Sequence, residues 1–466
     1  MAETLRGCSR SVTYVLHNVG AHRDEPDTER KRKRVPGRMV VERFFIEGGT
    51  RLCGEVGVSG AKNAALKLLA AALLAPGRTV LHNVPSIKDV ETMLAVLEGL
   101  GASCEFSANT LSVDASDVNS YTAPYDLVRQ MRASIVVLGP LVARFGEAEV
   151  SAPGGCNLGL RKFNFHLDGL RALGAKISLD HGFIKAEAKD GLRGAEVNFE
   201  YPSVTATENV MMAAVLARGT TIIENGAREP EVVALADFLN LMGARIFGSG
   251  TGRIVIEGVD ELRPVEYAVM GDRVEAGTFI MATAATGGDV LVKGVDPAHL
   301  KMELPKLREM GVEIQDVECG LRVRVDDPSS LGSVDVSTLP FPGFATDLQA
   351  QMMVLLTQTS GAGIITENVY ENRLQVAEEL NRLDADIDLF GGHRALVKGP
   401  RRLSGTIVQS PDLRGGAALV IAGLVAEGTT IVDGARHILR GYEGFEEKLA
   451  SLGATIALGA EPALHT

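Results

Sequence analysis

A chain of 466 residues with 45% hydrophobic and 23% charged residues is long enough for two or three folded domains. Its formal net charge of −12, from 47 Lys plus Arg against 59 Asp plus Glu, opposes a nucleic-acid backbone at long range and argues against a polynucleotide partner. No stretch of about 18 consecutive apolar residues occurs, so no membrane span is expected.

The first forty residues lack the apolar core of a signal peptide and carry the basic run ERKRKR at Glu29 to Arg34. They read as a disordered leader, or as an upstream choice of start codon with Met39 beginning the functional chain. Five cysteines, at positions 8, 53, 104, 156 and 319, are scattered and form no CxxC pair. That pattern predicts reduced thiols, hence a cytoplasmic protein.

From there the chain repeats itself. A helix-ending phrase recurs as LEGLGA ending at Ala102, LRALGA at Ala175, LNLMGA at Ala244, LREMGV at Val312, LNRLDA at Ala385 and LASLGA at Ala454, at intervals of 68 to 73 residues. In the first copy Val90, Met93, Leu94, Leu97 and Leu100 share one face of a helix that starts after Pro85 and Ser86 and ends at Gly101. Strand-like segments accompany each helix: Gly77 to Val84, Gly219 to Gly226, Gly287 to Gly294, Gly363 to Val369 and Gly428 to Gly434 are rich in β-branched residues and bounded by glycine. Further alternating segments such as AKISL and VEIQD follow the helix ends. Six βαβ-rich units of about seventy residues group more naturally into two three-unit domains than into a solenoid.

Three phrases carry candidate chemistry. In SGAKNAALKLLAAALLA, Lys62 and Asn63 stand at the start of a helix. A lysine there opposes the helix dipole, so it either points into solvent or is compensated by a bound anion. In PGGCNLGLRKF, Cys156 lies in a glycine-rich loop near Arg161 and Lys162, cations that favour a thiolate able to act as acid or nucleophile; the alternative is an inert thiol. In PFPGFATDLQAQ, Asp347 either caps the following helix or sits close to its start in a catalytic role. Arg373 and Arg414 add guanidinium groups suited to carboxylate or phosphate. No metal-ligand spacing, no strand-linked GxGxxG and no GxxxxGK[ST] occurs, which argues against nicotinamide and nucleoside-triphosphate enzymes.

From about Val41 onward, GAKNAAL, the PGGC loop, SVxATEN, REPE, FPGFxTDLQ, ENR, DLR and HxxRGYE occur in the order that they take in one family. The chain resembles the enolpyruvyl transferases, on the nucleotide-sugar branch that opens peptidoglycan precursor synthesis. The resemblance implies an α/β fold, a two-domain inside-out α/β barrel of six repeated units in two pseudo-threefold domains. Residues 41–62 plus 272–466 would form one domain and 63–271 the other, with the active site in the cleft between them.

It further implies transfer of the enolpyruvyl group of phosphoenolpyruvate to the 3′-hydroxyl of a UDP-sugar, UDP-N-acetylglucosamine, with no cofactor, no metal and no obligate protein partner. Lys62, Arg161 and Arg440 match the groups around the phosphate, and Asn63 a sugar contact. Cys156 matches the thiol that protonates or holds the enolpyruvyl carbon and is the target of fosfomycin. Asp347 matches the carboxylate proposed to take the hydroxyl proton, and Arg132, Arg373 and Arg414 match further site arginines. Ser203 and Val204 match diphosphate contacts. Thr205 stands beside them where the family has glycine, Val369 is matched as a further substrate contact, and Lys162, Phe163 and Asn164 replace the usual Pro-hydrophobic-Asp of the nucleotide-contacting stretch. These departures bear on the acceptor, and a related enzyme acting on another uridine nucleotide is the alternative implied.

Overall fold

The computed structural model describes residues 40–123, 132–151 and 163–462. The leader, Cys156, Arg161 and Lys162 lie outside the described residues, as does the Arg132 side chain.

Six separate sheets are present among the described residues, five of four strands and one of three. In the five four-stranded sheets the strand predicted from its β-branched run lies inside the sheet: Arg78–His82, Thr220–Glu224, Asp289–Lys293, Gly361–Thr366 and Thr429–Asp433 each pair antiparallel with one neighbour. Their outer faces alternate with buried ones, as expected of sheets covered on one side.

The phrase that marks the repeat has a backbone cause. Gly101, Gly174, Gly243, Gly311 and Gly453 follow five of the six helix ends with φ between 93° and 108°, the left-handed conformation that closes a helix and that side chains resist. In the fifth unit Asp384 occupies this position at φ 68°. Asp384→Gly should therefore raise the unfolding free energy by up to about 1 kcal/mol, the left-handed penalty less the entropy that glycine adds to the unfolded chain. Thermal or urea unfolding reads this directly, and a loss of stability would contradict the assignment.

Helices fill the inside and sheets form the outside. Arg273–Thr286, Gln349–Gln358 and Leu413–Val425 pack on one another and are buried along almost their whole length, which explains their poor amphipathicity: a helix surrounded by protein needs no polar face. Lys62–Ala71, Leu138–Phe145 and Val204–Ala214 occupy the equivalent inner positions in the other half. Buried apolar side chains form two clusters, one from Ala61 to Val269 and one from Phe44 to Val56 joined by Val274 to Ala454. This is the inside-out α/β arrangement expected.

The chain passes between the clusters twice, side by side. Gly60 and Gly271 pair as an antiparallel bridge, Ala61 N–H donates to Met270 O at 2.7 Å and Asp272 N–H to Ser59 O at 2.9 Å. Neither glycine has room for a side chain, since a Cβ would lie 1.7 Å from Asn83 O at Gly60 and 1.8 Å from Gly294 O at Gly271. Asp272 then serves two helices: Oδ1 accepts from Val274 and Glu275 N–H at the start of its own helix, and Oδ2 accepts from Lys62 N–H at 3.1 Å. Lys62 is thereby fixed where the two halves join.

No described helix is long and apolar enough to cross a membrane.

Candidate active site

A cavity of about 970 Å³ lies between the two halves. Its wall includes Lys62, Asn63, Phe163, Ser203, Val204 and Thr205 from one half, and Asp347, Val369, Arg373, Arg414 and Arg440 from the other. Residues nearly four hundred positions apart in the chain thus face one space, of the size that holds small-molecule ligands.

At one end Lys62 and Arg440 share a carboxylate that the sequence did not single out. Asp89, in the first turn of helix Lys88–Gly99, accepts from Lys62 Nζ at 2.8 Å through Oδ2 and from Arg440 Nε at 2.8 Å through Oδ1. Burial pushes the Lys62 ammonium below the ordinary lysine range; Asp89 opposes that shift, and the Arg414 and Arg440 charges add to it. Burial alone would raise the Asp89 carboxyl, but Lys62 and Arg440 outweigh it and hold the group below the usual carboxylate range. Both cations converge on Asp89 and border the cavity, where they can also meet an anionic ligand.

Across the cavity Asp347 lies in the short turn Thr346–Leu348 ahead of helix Gln349–Gln358. It does not cap that helix. Arg373 Nη2 donates to its Oδ1 at 2.8 Å, and Arg414 Nε and Nη2 donate to its Oδ2 at 3.3 and 3.2 Å. Both arginines are almost wholly buried, and although burial works against their charges, Asp347 and the nearby Asp412 and Tyr442 keep them ionised. Each guanidinium also lies 5.1 Å from an aromatic ring, Arg373 over Tyr370 and Arg414 over Tyr442. Glu367 orders the adjoining loop: it accepts from Thr338 and Thr346 hydroxyls and from Val369 and Tyr370 N–H.

The two halves also touch directly. Glu231 and Arg273 form a buried two-bond pair at 2.9 and 3.2 Å, Glu229 accepts from Phe341 N–H at 3.2 Å, and Asn109 donates to Glu443 at 2.8 Å. Glu229 and Glu231 belong to the REPE phrase and Glu443 closes HxxRGYE, both of which serve in the sequence only as family marks.

Asn164 is the expected contact that the fold sends elsewhere. It opens helix Asn164–Ala172 with its side chain exposed, whereas Phe163, Phe165 and His166 line the cavity. The helical turn makes neighbouring residues point in different directions. Asp89, His166, Tyr370, Glu229 and Glu231 were missed. An aspartate in a first turn carries no signal that separates an ion-pair bridge from an ordinary dipole partner, and a lone histidine carries none at all.

Known proteins resemble this chain over most of its length. The family model described as EPSP synthase (3-phosphoshikimate 1-carboxyvinyltransferase) matches residues 46–449. The chain is 53% identical over 419 residues to a protein of Myxococcus xanthus named UDP-N-acetylglucosamine 1-carboxyvinyltransferase, covering 89% of this chain and 99% of that one. A protein of the same name from Trichlorobacter lovleyi is 51% identical over 422 residues, covering 91% and 100%. Among solved structures, the enolpyruvyl transferase NikO from Streptomyces tendae superposes with a TM-score of 0.82 at 26% identity, covering 91% of this chain and 100% of that chain. EPSP synthase from Acinetobacter baumannii shares the fold, with a TM-score of 0.70 at 17% identity over 90% and 100% of the two chains. The chain belongs to the EPSP synthase family of enolpyruvyl transferases.

Proposed function

We propose that this protein transfers the enolpyruvyl group of phosphoenolpyruvate to the 3′-hydroxyl of UDP-N-acetylglucosamine, releasing phosphate, as the first committed step of peptidoglycan precursor synthesis. The observation that carries the reading is the meeting of Lys62 and Arg440 on Asp89 at one end of a cavity that also holds Asp347. The relatives at 51–53% identity, both named for that acceptor, favour it over another uridine nucleotide.

The reaction is addition followed by elimination. The acceptor oxygen bonds to C2 of phosphoenolpyruvate while its proton passes to Asp347, and C3 receives a proton, for which Cys156 is the proposed donor. The tetrahedral adduct then returns a C3 proton to the thiolate left on Cys156 as the C2–O bond to phosphate breaks, which restores the double bond. Lys62 and Arg440, joined by Arg161, offset the phosphate charge as that bond breaks, stabilising the transition state more than the ground state. Asp347 is oriented by ion pairs with Arg373 and Arg414, and its part is to take the proton as the C–O bond forms.

Division at 62/63 and 271/272 would let residues 63–271 move against the rest, closing the cleft and excluding water. Arg132, Asn63, Ser203, Val204, Thr205, Val369, Arg373 and Arg414 would hold the two substrates, with Lys162 and Phe163 beside the nucleotide. The substrates are small molecules, and the scattered cysteines support action in the cytoplasm; of these, Cys104 is a half-buried thiol, pushed up to about 12 by desolvation, and hence unreactive.

Acceptor-dependent phosphate release from phosphoenolpyruvate tests the reading, and its absence with UDP-N-acetylglucosamine would overturn it. A panel of uridine nucleotides gives the acceptor: a higher kcat/KM for any other nucleotide would move the assignment to it. Asp89→Asn removes the influence that raises the Lys62 ammonium, so the alkaline limb of kcat/KM for phosphoenolpyruvate should move to lower pH. A limb that stayed in place or moved to higher pH would show that Lys62 is not the group titrating there.

A further inference from the structure

A chain of hydrogen bonds runs through the wall of the cavity in one direction. It begins at Gly139 N–H in the first turn of helix Leu138–Phe145, which donates to Asn209 Oδ1 at 2.7 Å. A backbone N–H can only donate, so the Asn209 atom facing it is the carbonyl oxygen and the amide NH2 is turned the other way. That NH2 lies 3.0 Å from His166 Nδ1, with Ile135 O at 3.4 Å beside it. His166 Nδ1 must then accept. The neutral ring consequently carries its proton on Nε2, and Nε2 donates to Thr205 Oγ1 at 3.1 Å.

The packing leaves no latitude in this arrangement. A Cβ on Gly139 would lie 2.3 Å from Asn209 O and 2.5 Å from Asn209 Oδ1, so only glycine allows the first bond. Asn209 is fully buried and His166 is 4% exposed. Thr205 is half-buried, sits in the first turn of helix Val204–Ala214 and lines the cavity. Among the described residues its hydroxyl makes no other hydrogen bond. With its oxygen already accepting from His166, the hydroxyl hydrogen remains to be donated onward. Ser203, at the head of the same helix, does not spend its side chain on capping, and the first N–H groups of the helix carry partial positive charge.

We infer that His166 is a positioning residue that holds the Thr205 hydroxyl as a fixed donor to an anionic oxygen of the acceptor's diphosphate. The inference rests on the nucleotide-sugar reading above. Each bond in the relay polarises the next, so the last donor is stronger than an isolated hydroxyl and its direction is set before the ligand arrives. The relay therefore acts on acceptor binding and leaves the phosphoenolpyruvate end, at Lys62 and Arg440, untouched.

A double-variant cycle tests this. Thr205→Val should raise the KM for UDP-N-acetylglucosamine roughly tenfold, as loss of a hydrogen bond to a charged group does, with the KM for phosphoenolpyruvate unchanged. Thr205→Ser, which keeps the hydroxyl, should restore most of the loss. His166→Phe, or His166→Met if it alone keeps the native melting midpoint, should raise the acceptor KM less, and combined with T205V should add nothing further. Additive effects, a parallel rise in the phosphoenolpyruvate KM, or failure of T205S to recover binding would overturn the inference. Calorimetric titration with UDP reads the same relay without turnover: weaker binding by T205V supports it, and equal binding refutes it. Should the wild-type protein bind UDP yet release no phosphate, the reaction assigned above would fail and the relay would stand or fall on the calorimetry alone.

Discussion

Lys62→Ala should abolish acceptor-dependent phosphate release, lowering kcat by at least about a hundred- to a thousandfold, as removal of one charged stabiliser of a leaving group does. The fold should survive the change. Lys62 is fixed through its backbone N–H on Asp272, which the substitution keeps, and Asp89 retains Arg440 as a partner. The variant thus separates a chemical role from a structural one: circular dichroism and the melting midpoint should stay near those of the wild type while turnover disappears. A methionine at the same position, which fills the space without the charge, should be as inactive as alanine. Activity within tenfold of wild type in either variant would mean that the ammonium contributes little to phosphate departure.

Asp347 should give the second largest effect, and two substitutions divide its roles. Asp347→Asn keeps the shape and one hydrogen-bond acceptor but no longer takes the hydroxyl proton; kcat should fall by about 10²–10⁴, the range for loss of a general base. Asp347→Ala should lose as much activity and also stability. It leaves Arg373 and Arg414 buried without their shared carboxylate, a change that costs about 3 kcal/mol where the pair is fully enclosed and less here because the carboxylate borders the cavity. Urea unfolding of the two variants checks the distinction. If D347N retained the wild-type kcat, the carboxylate would only position the arginines.

What could be read in the sequence follows from whether a residue's role is local. The repeat was legible because every unit must end its helix in a left-handed residue, and glycine answers that need in five of six cases; Asp384 shows that the backbone, not the residue type, is what repeats. The inner strands were legible because half-buried sheets select β-branched alternation. Lys62 was legible because a lysine at a helix start requires an explanation. Asp89 was not, since an aspartate in a first turn requires none, and only the folded chain brings Arg440 to it. The same holds for the relay through His166: Gly139, Asn209, His166 and Thr205 lie on three helices, and no spacing in the sequence links them. Asn164 was misplaced because the resemblance aligns positions along the chain, whereas the helix that begins there decides which side chains face the cavity. Cys156 and Arg161 lie outside the described residues, so their places rest on the resemblance alone.

The central claim is that cations from both halves of the chain grip one phosphate ester. A crystal structure with phosphoenolpyruvate and UDP, which lacks the N-acetylglucosamine hydroxyl that the proposed reaction uses, measures this most directly. The account predicts phosphate oxygens within hydrogen-bond distance of both Lys62 Nζ and the Arg440 guanidinium, with Asp89 still bridging the two. A phosphate held by only one of them, or bound elsewhere in the cavity, would contradict it.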